Sequence, residues 1–398
     1  MSLRVVGLLA VGAIAFALVL SVSTAGVLRN VYPATALKWS PWDAGASANL
    51  AALVQSSDPS PAAQEAVRAT AIAALRRDVT MVPALRVLGL AADAAGDQAT
   101  ALRFFTAAER TSRRDQATQA WLIMYHFNRG DPERTMRHFD TALRTTNRNL
   151  GTLLPLLVRM SMDRRMVPRI RRLLEPRPNW GFDFVSYLVR NGQPLEHVTF
   201  LTRGMLDADD PTQANLVRRL IARLVEADRL DLAWSVYQEH QPAARAANLR
   251  NGGFEAGGTF APFDWELVDD IGLAAVPQAR AGSGNALVLS ASSGRSGQVA
   301  RQLIRLPPRS YRMQLDAAAV PADPAQRPRI SIQCAGASAS TLLEVRLPRA
   351  GEAPVRVAAR FAVPAGCRWQ WLSVQAVDQG AGGAMEPWID NVVIAPTG

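Results

Sequence analysis

The sequence predicts a multidomain chain, α first and β second: an N-terminal membrane helix, an α-solenoid of helical hairpins and a C-terminal antiparallel β-sandwich. Three observations carry this reading. No charged residue occurs from Val5 to Leu28. Residues 82–115 and 116–149 share nine identities at a shift of 34 residues. Near Arg245 to Asn251, long amphipathic runs give way to short alternating ones bounded by Gly, Pro and Ser. The predicted domains are 1–30, 31–245 and 246–398. With 398 residues, 48% of them hydrophobic, the chain is long enough for two or three cores and too apolar to be disordered.

The first element sets the compartment. At about 1.5 Å per residue, a helix over residues 5–28 reaches across a hydrocarbon core of roughly 30 Å. It reads as an uncleaved single-pass anchor in the cytoplasmic (inner) membrane, with the bulk of the chain periplasmic or extracellular. The alternative is a signal peptide cut near Ser23-Thr24-Ala25, which makes the protein secreted.

In the helical region, Leu85, Leu88, Gly89 and Ala92 share one helix face, and Ala101, Phe105 and Ala108 share one face of the next helix, with Gly96-Asp97 turning between them. A 34-residue unit of this kind buries its apolar face only by stacking on copies of itself. The pattern resembles the tetratricopeptide repeat. In the following unit Phe139 and Ala142 match, while Ile123 and Thr135 depart from the small-residue positions. A weaker unit precedes, its second helix started by Ser60-Pro61. Degenerate hairpins continue to about residue 243, with the 34-residue register lost across Pro168, Pro176 and Pro178. The resemblance implies a protein partner on the array and a scaffold role.

Charge separates the two halves. The chain has 44 basic and 34 acidic residues, a net +10, and its only lysine is Lys38, which excludes a P-loop or a buried Schiff-base lysine in a folded domain. Residues 1–245 carry +8 and residues 246–398 carry +2. Arg159, Arg164, Arg165, Arg169, Arg171, Arg172 and Arg177 crowd one stretch. They read either as a solvated helix face or as a contact for an acidic polysaccharide, lipid phosphate or acidic protein. No aromatic residue interleaves to stack bases, and nucleic acid is not an expected partner.

The strand candidates are FDWELV, NALVLSA, QVARQLIRL, SYRMQLDA, RISIQCA, LLEVRL, VRVAARFAV, RWQWLSVQAV and WIDNVVIA; Asp269 and Asp270 read as turn residues. Asn251-Gly252-Gly253-Phe254-Glu255, Trp265, Gly284-Asn285-Ala286-Leu287 and Trp388-Ile389-Asp390-Asn391-Val392, in that order, resemble the galactose-binding-like jelly-roll carbohydrate-binding modules. The resemblance implies framework roles for Trp265 and Trp388. It also implies a structural calcium on Glu255 and Asp390, with backbone carbonyls and Asn251 completing the shell; strand-end carboxylates without metal are the alternative. In RWQWLSVQAV, alternation puts Trp369, Trp371 and Gln375 on one face, a platform for a polysaccharide, with burial in the core as the competing reading. Cys334 and Cys367 suit one disulfide outside the cytosol, or two buried thiols within it.

Catalytic signatures are missing from the sequence. There is no GxSxG elbow, no GxGxxG after a strand, no CxxC and no HExxH, and His126, His138, His197 and His240 all lie in helical segments. The expectation is a non-enzymatic envelope scaffold with a glycan-binding sandwich and no cofactor beyond the calcium. By analogy, such a pairing suits exopolysaccharide assembly or export; the alternatives are a protein-only scaffold or, third, a glycan-processing enzyme.

Overall fold

The computed structural model describes residues 3–58, 60–145, 150–246, 249–280, 284–292, 294–336, 340–378 and 386–397, without the side chains of 3–11, 14, 245 and 246. The chain divides into two compact units, Met1–Tyr187 and Leu188–Gly398. The division falls well before the change from helix to strand, because the last helices pack with the sandwich.

The first unit is helical. Helix α1 (Leu3–Leu28) leads into α2 (Pro33–Trp39) and α3 (Ala44–Ser57), and its end is tied to them through the buried cluster Ala25, Ala36 and Ala46. The first half of the expected membrane run lies largely outside the described side chains. Among the described residues, no helix is long and apolar enough to cross a membrane. At its C-terminal end α1 packs against α2 and α3 through that alanine cluster.

Next come α4 (Pro61–Arg77), α5 (Val82–Ala94), α6 (Gln98–Thr111), α7 (Gln116–Asn128), α8 (Pro132–Thr145), α9 (Leu150–Met160) and α10 (Val167–Leu174). Local chemistry starts and stops them. Ser60 caps α4 by accepting from the Ala63 amide ahead of Pro61, and Asp97 and Asp115 cap α6 and α7 through the Thr100 and Thr118 amides. Gly96 and Gly130 turn the two hairpins at φ +79° and +67°. Gly89 is fixed by packing: a Cβ there would lie 2.8 Å from Phe105 Cε2.

Helices α5 and α7 begin at residues 82 and 116, and α6 and α8 at 98 and 132, each pair 34 residues apart, whereas α10 begins at 167, one residue out of that register. Pro168 stands in the first turn of α10, where no amide is needed. A column of rings links three helices: Phe105 on Trp121 at 4.2 Å, Trp121 on Tyr125 at 4.9 Å, Tyr125 against His126 at 5.2 Å, and His126 on His138 at 5.4 Å.

The second unit takes in the end of α11 (Gly181–Asn191), then α12 (Leu195–Thr202), α13 (Pro211–Glu226) and α14 (Leu230–His240). Asp210 caps α13, accepting from the Thr212 and Gln213 amides, with Pro211 at the first position. The sandwich follows: β1 (Glu266–Leu267), β2 (Asp269–Asp270), β3 (Leu273–Arg280), β4 (Gly284–Ala291), β5 (Gly297–Ile304), β6 (Ser310–Ala318), β7 (Arg329–Cys334), β8 (Thr341–Arg346), β9 (Val355–Ala362), β10 (Gln370–Ala376) and β11 (Trp388–Pro396).

The strands form a five-stranded sheet, β1-β5-β10-β7-β8, and a six-stranded sheet, β2-β3-β4-β11-β6-β9, with antiparallel pairing throughout. The core between them holds Leu289, Val299, Met313, Leu315, Ile332, Leu372, Val374 and Ile389. Trp265 joins that core and Trp388 a smaller cluster beside it. Two strands lay outside the sequence reading. Asp269 and Asp270 pair with Ala274 and Leu273 as the short strand β2, the turn falling one step later at Gly272. Strand β3 contains Pro277, tolerated because β2 reaches only its first two residues and leaves that edge open. A disulfide joins Cys334 and Cys367, with sulfurs 2.03 Å apart.

His138 supplies a test of the helical unit. Its Nδ1 stands 3.0 Å from Gln119 Oε1 and 3.2 Å from Glu109 Oε1, so Nδ1 carries the proton. Burial, and then the cations Arg137 and Arg134 with His126, outweigh the acids and hold the imidazole down at about 4 against an ordinary 6.5. The unfolded chain therefore takes up the proton first, and stability present above about pH 6.5 is lost as pH falls toward 4. At about 1.4 kcal/mol per pH unit this amounts to roughly 2–3 kcal/mol. Thermal unfolding followed by circular dichroism from pH 7.5 to 4.5 should show that loss, and His138→Phe should flatten it. Equal slopes for the two proteins would contradict the assignment.

Candidate functional site

The residues singled out around β10 are held by the helices before the sandwich. Trp369 precedes the strand and is only 4% exposed. Its ring lies 5.7 Å from both Trp234 of α14 and Phe263, and the Arg305 guanidinium sits 5.6 Å from its centroid. Its Nε1 donates to Asp231 Oδ1 at 3.2 Å, and Asp231 also pairs with Arg368 at 2.8 Å. The expected sugar platform does not include Trp369, whose ring is buried under these contacts. Phe263 meets the Trp234 ring edge-on at 5.1 Å and the Tyr237 ring at a tilt at 5.0 Å, which closes an aromatic seam between α14 and the sandwich.

Asp264 anchors the polar side of this seam. It accepts from the Tyr237 hydroxyl at 2.7 Å and from the Thr259 and Phe260 amides at 2.9 Å, and it pairs with Arg250 at 3.1 Å. Burial, reinforced by the Asp264 carboxylate, pushes the Tyr237 phenol far above its ordinary range, so it remains a donor at any working pH.

Trp371 is half-buried and borders two grooves. One, of about 480 Å³, is lined by Arg218 and Glu226 of α13 together with Pro262, Glu266, Arg301 and Trp371. The other, of about 350 Å³, runs past Asp228, Leu230, Ala335 and Gly336 to the same tryptophan. Register explains the cluster: Arg301 pairs across strands with Glu266, at 2.6 Å, and lies 4.6 Å from the Trp371 ring centroid. The site therefore offers an aromatic edge ringed by guanidinium donors and carboxylate acceptors, a lining suited to hydroxyl-rich ligands. Gln375 is exposed on the same strand, about 13 Å further along at ~3.3 Å per residue, and does not line either groove.

Sequence reasoning found Trp371 but missed Arg218, Glu226, Glu266 and Arg301. Only the alternation of β5 and β1 hinted at the cross-strand pair, and nothing local pointed to α13.

The opening and closing segments of the sandwich meet as a unit. The Val392 amide donates to the Gly252 carbonyl at 2.9 Å, and a Cβ at Gly252 would lie 2.0 Å from Val392 O. Glu255 Oε1 accepts from the Asn285 amide at 2.9 Å. Asp390 is buried, with Oδ1 taking the Asn391 amide at 2.6 Å; burial first, and then the Asp316 and Glu255 charges, raise its carboxyl above the ordinary range. A Cβ on Gly253 would stand 3.8 Å from both Asp390 Oδ1 and Glu255 Cγ, so the two acids border one spot. Asp316, in contrast, is engaged by Arg356 and Asn391. Among the described residues, no three His, Cys, Asp or Glu side chains gather where they could hold a metal ion. Glu255 and Asp390 fit calcium as hard anionic donors but supply only part of its shell of roughly six to eight oxygens, leaving main-chain carbonyls to complete it.

The arginine run does not act as one face. Arg165 closes on Asp163 at 2.8 Å, and Arg169 and Arg172 both turn to Glu133 of α8 at 3.1 and 3.0 Å. Arg159 and Arg164 are exposed, and Arg171 is half-buried.

No protein-family model and no curated protein matches the chain. Among solved structures it is similar to a CBM4 module, at 14% identity and TM-score 0.28 over 37% of this chain and 99% of that one. It is similar also to the CBM61 module in complex with β-1,4-galactotriose, at 16% identity and TM-score 0.28 over 38% and 98%. A third match is the enzymatically active domain of tailspike protein 4 of bacteriophage CBA120, at 15% identity and TM-score 0.29; it covers 38% of this chain and only 21% of that one. These values are too low to transfer a ligand or an activity.

The seam and the groove predict different costs for the two tryptophans. Trp369→Ala should destabilise the second unit by about 3–5 kcal/mol, the range for removing a buried aromatic, and Trp371→Ala by no more than about 1–2 kcal/mol. Denaturant unfolding measures both, and equal losses would contradict the placement.

Proposed function

We propose that the protein is a non-enzymatic, membrane-anchored envelope scaffold whose Trp371 groove holds a neutral stretch of polysaccharide while its helical repeats, read as tetratricopeptide-like, hold a protein partner. The observation that carries the glycan part is the groove itself: a half-exposed indole flanked by Arg218, Glu226, Glu266 and Arg301 in about 480 Å³. Indole supplies an apolar surface for sugar C–H groups, and the charged rim supplies directed hydrogen bonds to hydroxyls. The uncharged run Val5–Leu28 supports the anchor, and the disulfide Cys334–Cys367 supports an extracytoplasmic sandwich. A role in exopolysaccharide assembly or export accords with this combination.

The competing reading is a protein-only scaffold, favoured by the Arg301 guanidinium already resting on the Trp371 ring. Affinity electrophoresis of the whole protein through gels containing neutral β-glucans or galactans separates the two. Retardation that falls about tenfold or more in Trp371→Ala, and is unchanged in Gln375→Ala, is expected. No retardation on any of these polysaccharides would leave the protein-only reading.

On the same reading, calcium joins the opening and closing strands at Glu255 and Asp390. Adding millimolar calcium after chelator treatment should raise the melting temperature of the second unit by about 5 °C, and Asp390→Asn should abolish the rise. An unchanged melting temperature would remove the ion and leave the carboxylates as a metal-free strand tie.

A further inference from the structure

A separate site lies in the first unit, where three pockets adjoin across the second helices of the hairpins. The first, about 480 Å³, is lined by Thr106, Glu109, Arg110, Arg113, Arg137 and Thr141. It shares Arg137 with a second of about 400 Å³ between α8 and α10, which in turn shares Arg169 with a third of about 330 Å³ reaching Phe127 and Met166. The three pockets thus lie side by side across α6, α8 and α10, with an arginine between each pair.

The balance of charge along them is uneven. Glu133 is occupied by Arg169 and Arg172, Asp140 by Arg144 and the Trp180 indole N–H, Asp163 by Arg165, and Glu109 faces His138. Arg110, Arg113 and Arg137 are exposed and make no ion pair among the described residues. Three guanidiniums, two threonine hydroxyls and one already engaged carboxylate line the first pocket.

We propose that this row of pockets binds a carboxylate-bearing polysaccharide, with a uronate carboxylate seated among Arg110, Arg113 and Arg137 and the following sugar units continuing past Arg169. Guanidinium matches a planar carboxylate in a bidentate fork, and Thr106 and Thr141 lie where a sugar ring offers hydroxyls. An acidic peptide is the less favoured occupant, because the cationic end has no apolar recess for an anchoring side chain. The linings of the second and third pockets include Met136 and Leu173, then Phe127 and Met166, apolar side chains suited to the C–H faces of successive sugar units. This site does not depend on the Trp371 groove.

Fluorescence anisotropy with labelled hexagalacturonate, using the full chain at 50 and 200 mM salt, tests it. Neutral cellohexaose and hexaglutamate serve as competitors. Binding should weaken with salt, and Arg110→Ala/Arg113→Ala/Arg137→Ala should lower affinity at least about tenfold. The double variant Arg110→Ala/Arg113→Ala, at two exposed sites, should also lose affinity and guards against a folding defect at Arg137. A charge-matched control, Arg68→Ala/Arg76→Ala/Arg103→Ala, should bind like the parent, and so should Trp371→Ala. Three results would overturn the proposal: no hexagalacturonate binding, equal loss in the control, or tighter binding of hexaglutamate, which would reassign the site to an acidic peptide. If Trp371→Ala alone abolished uronate binding, the ligand would belong to the sandwich instead.

Discussion

The second unit depends on the aromatic seam in which Trp234 and Tyr237 of α14 meet Phe263 and Trp369 of the sandwich. Five ring pairs among these four residues lie within 6 Å in tilted or edge-on contact, and each such pair contributes about 0.5–1.5 kcal/mol beyond the area it hides. The polar atoms at its rim are satisfied: the Tyr237 hydroxyl and two main-chain amides converge on Asp264, and the Trp369 indole donates to Asp231. Burying Asp264 without those donors would be costly, so seam and hub hold each other in place. Gln302 adds a further tie, exchanging hydrogen bonds with both main-chain groups of Arg250 at 3.0 and 3.1 Å, just before the opening strand segment.

One consequence is that the outer face of the five-stranded sheet is not open along β10. Helix α14 packs on Trp369, while α13 lies beside Trp371 across a groove that both line. Its polar rim draws on two sources, Arg218 and Glu226 from the helices and Glu266 and Arg301 from the sheet. A sandwich without these helices would present a different surface, and the binding chemistry proposed for Trp371 belongs to the pair of elements together.

Much of the fold was legible because it is written in short-range chemistry. Ser60-Pro61 and Asp210-Pro211 announce helix starts, Gly89 opposite Phe105 announces close helix packing, and the alternation of Leu372 and Val374 identifies the buried face of β10. What was not legible is set by long-range contact. Alternation groups Trp369 with Trp371, but it could not say that a residue more than 130 positions earlier packs on Trp369. The Arg159–Arg177 run stands out in sequence, yet its members turn to different partners. Arg110, Arg113 and Arg137, which make no ion pair among the described residues, come from α6, the turn after it and α8, brought together by the helix packing.

The central claim is that α14 and the sandwich are one cooperative body held by the seam. Native-state hydrogen exchange on the full chain across a denaturant series tests it most directly, comparing amides of Leu230–His240 with those of Gln370–Ala376. The account predicts that both sets open together, with matching free energies and denaturant dependence, and that Trp234→Ala lowers both by a similar amount. Early exchange of α14 while β10 stays protected, or a Trp234→Ala effect confined to the helix, would contradict it.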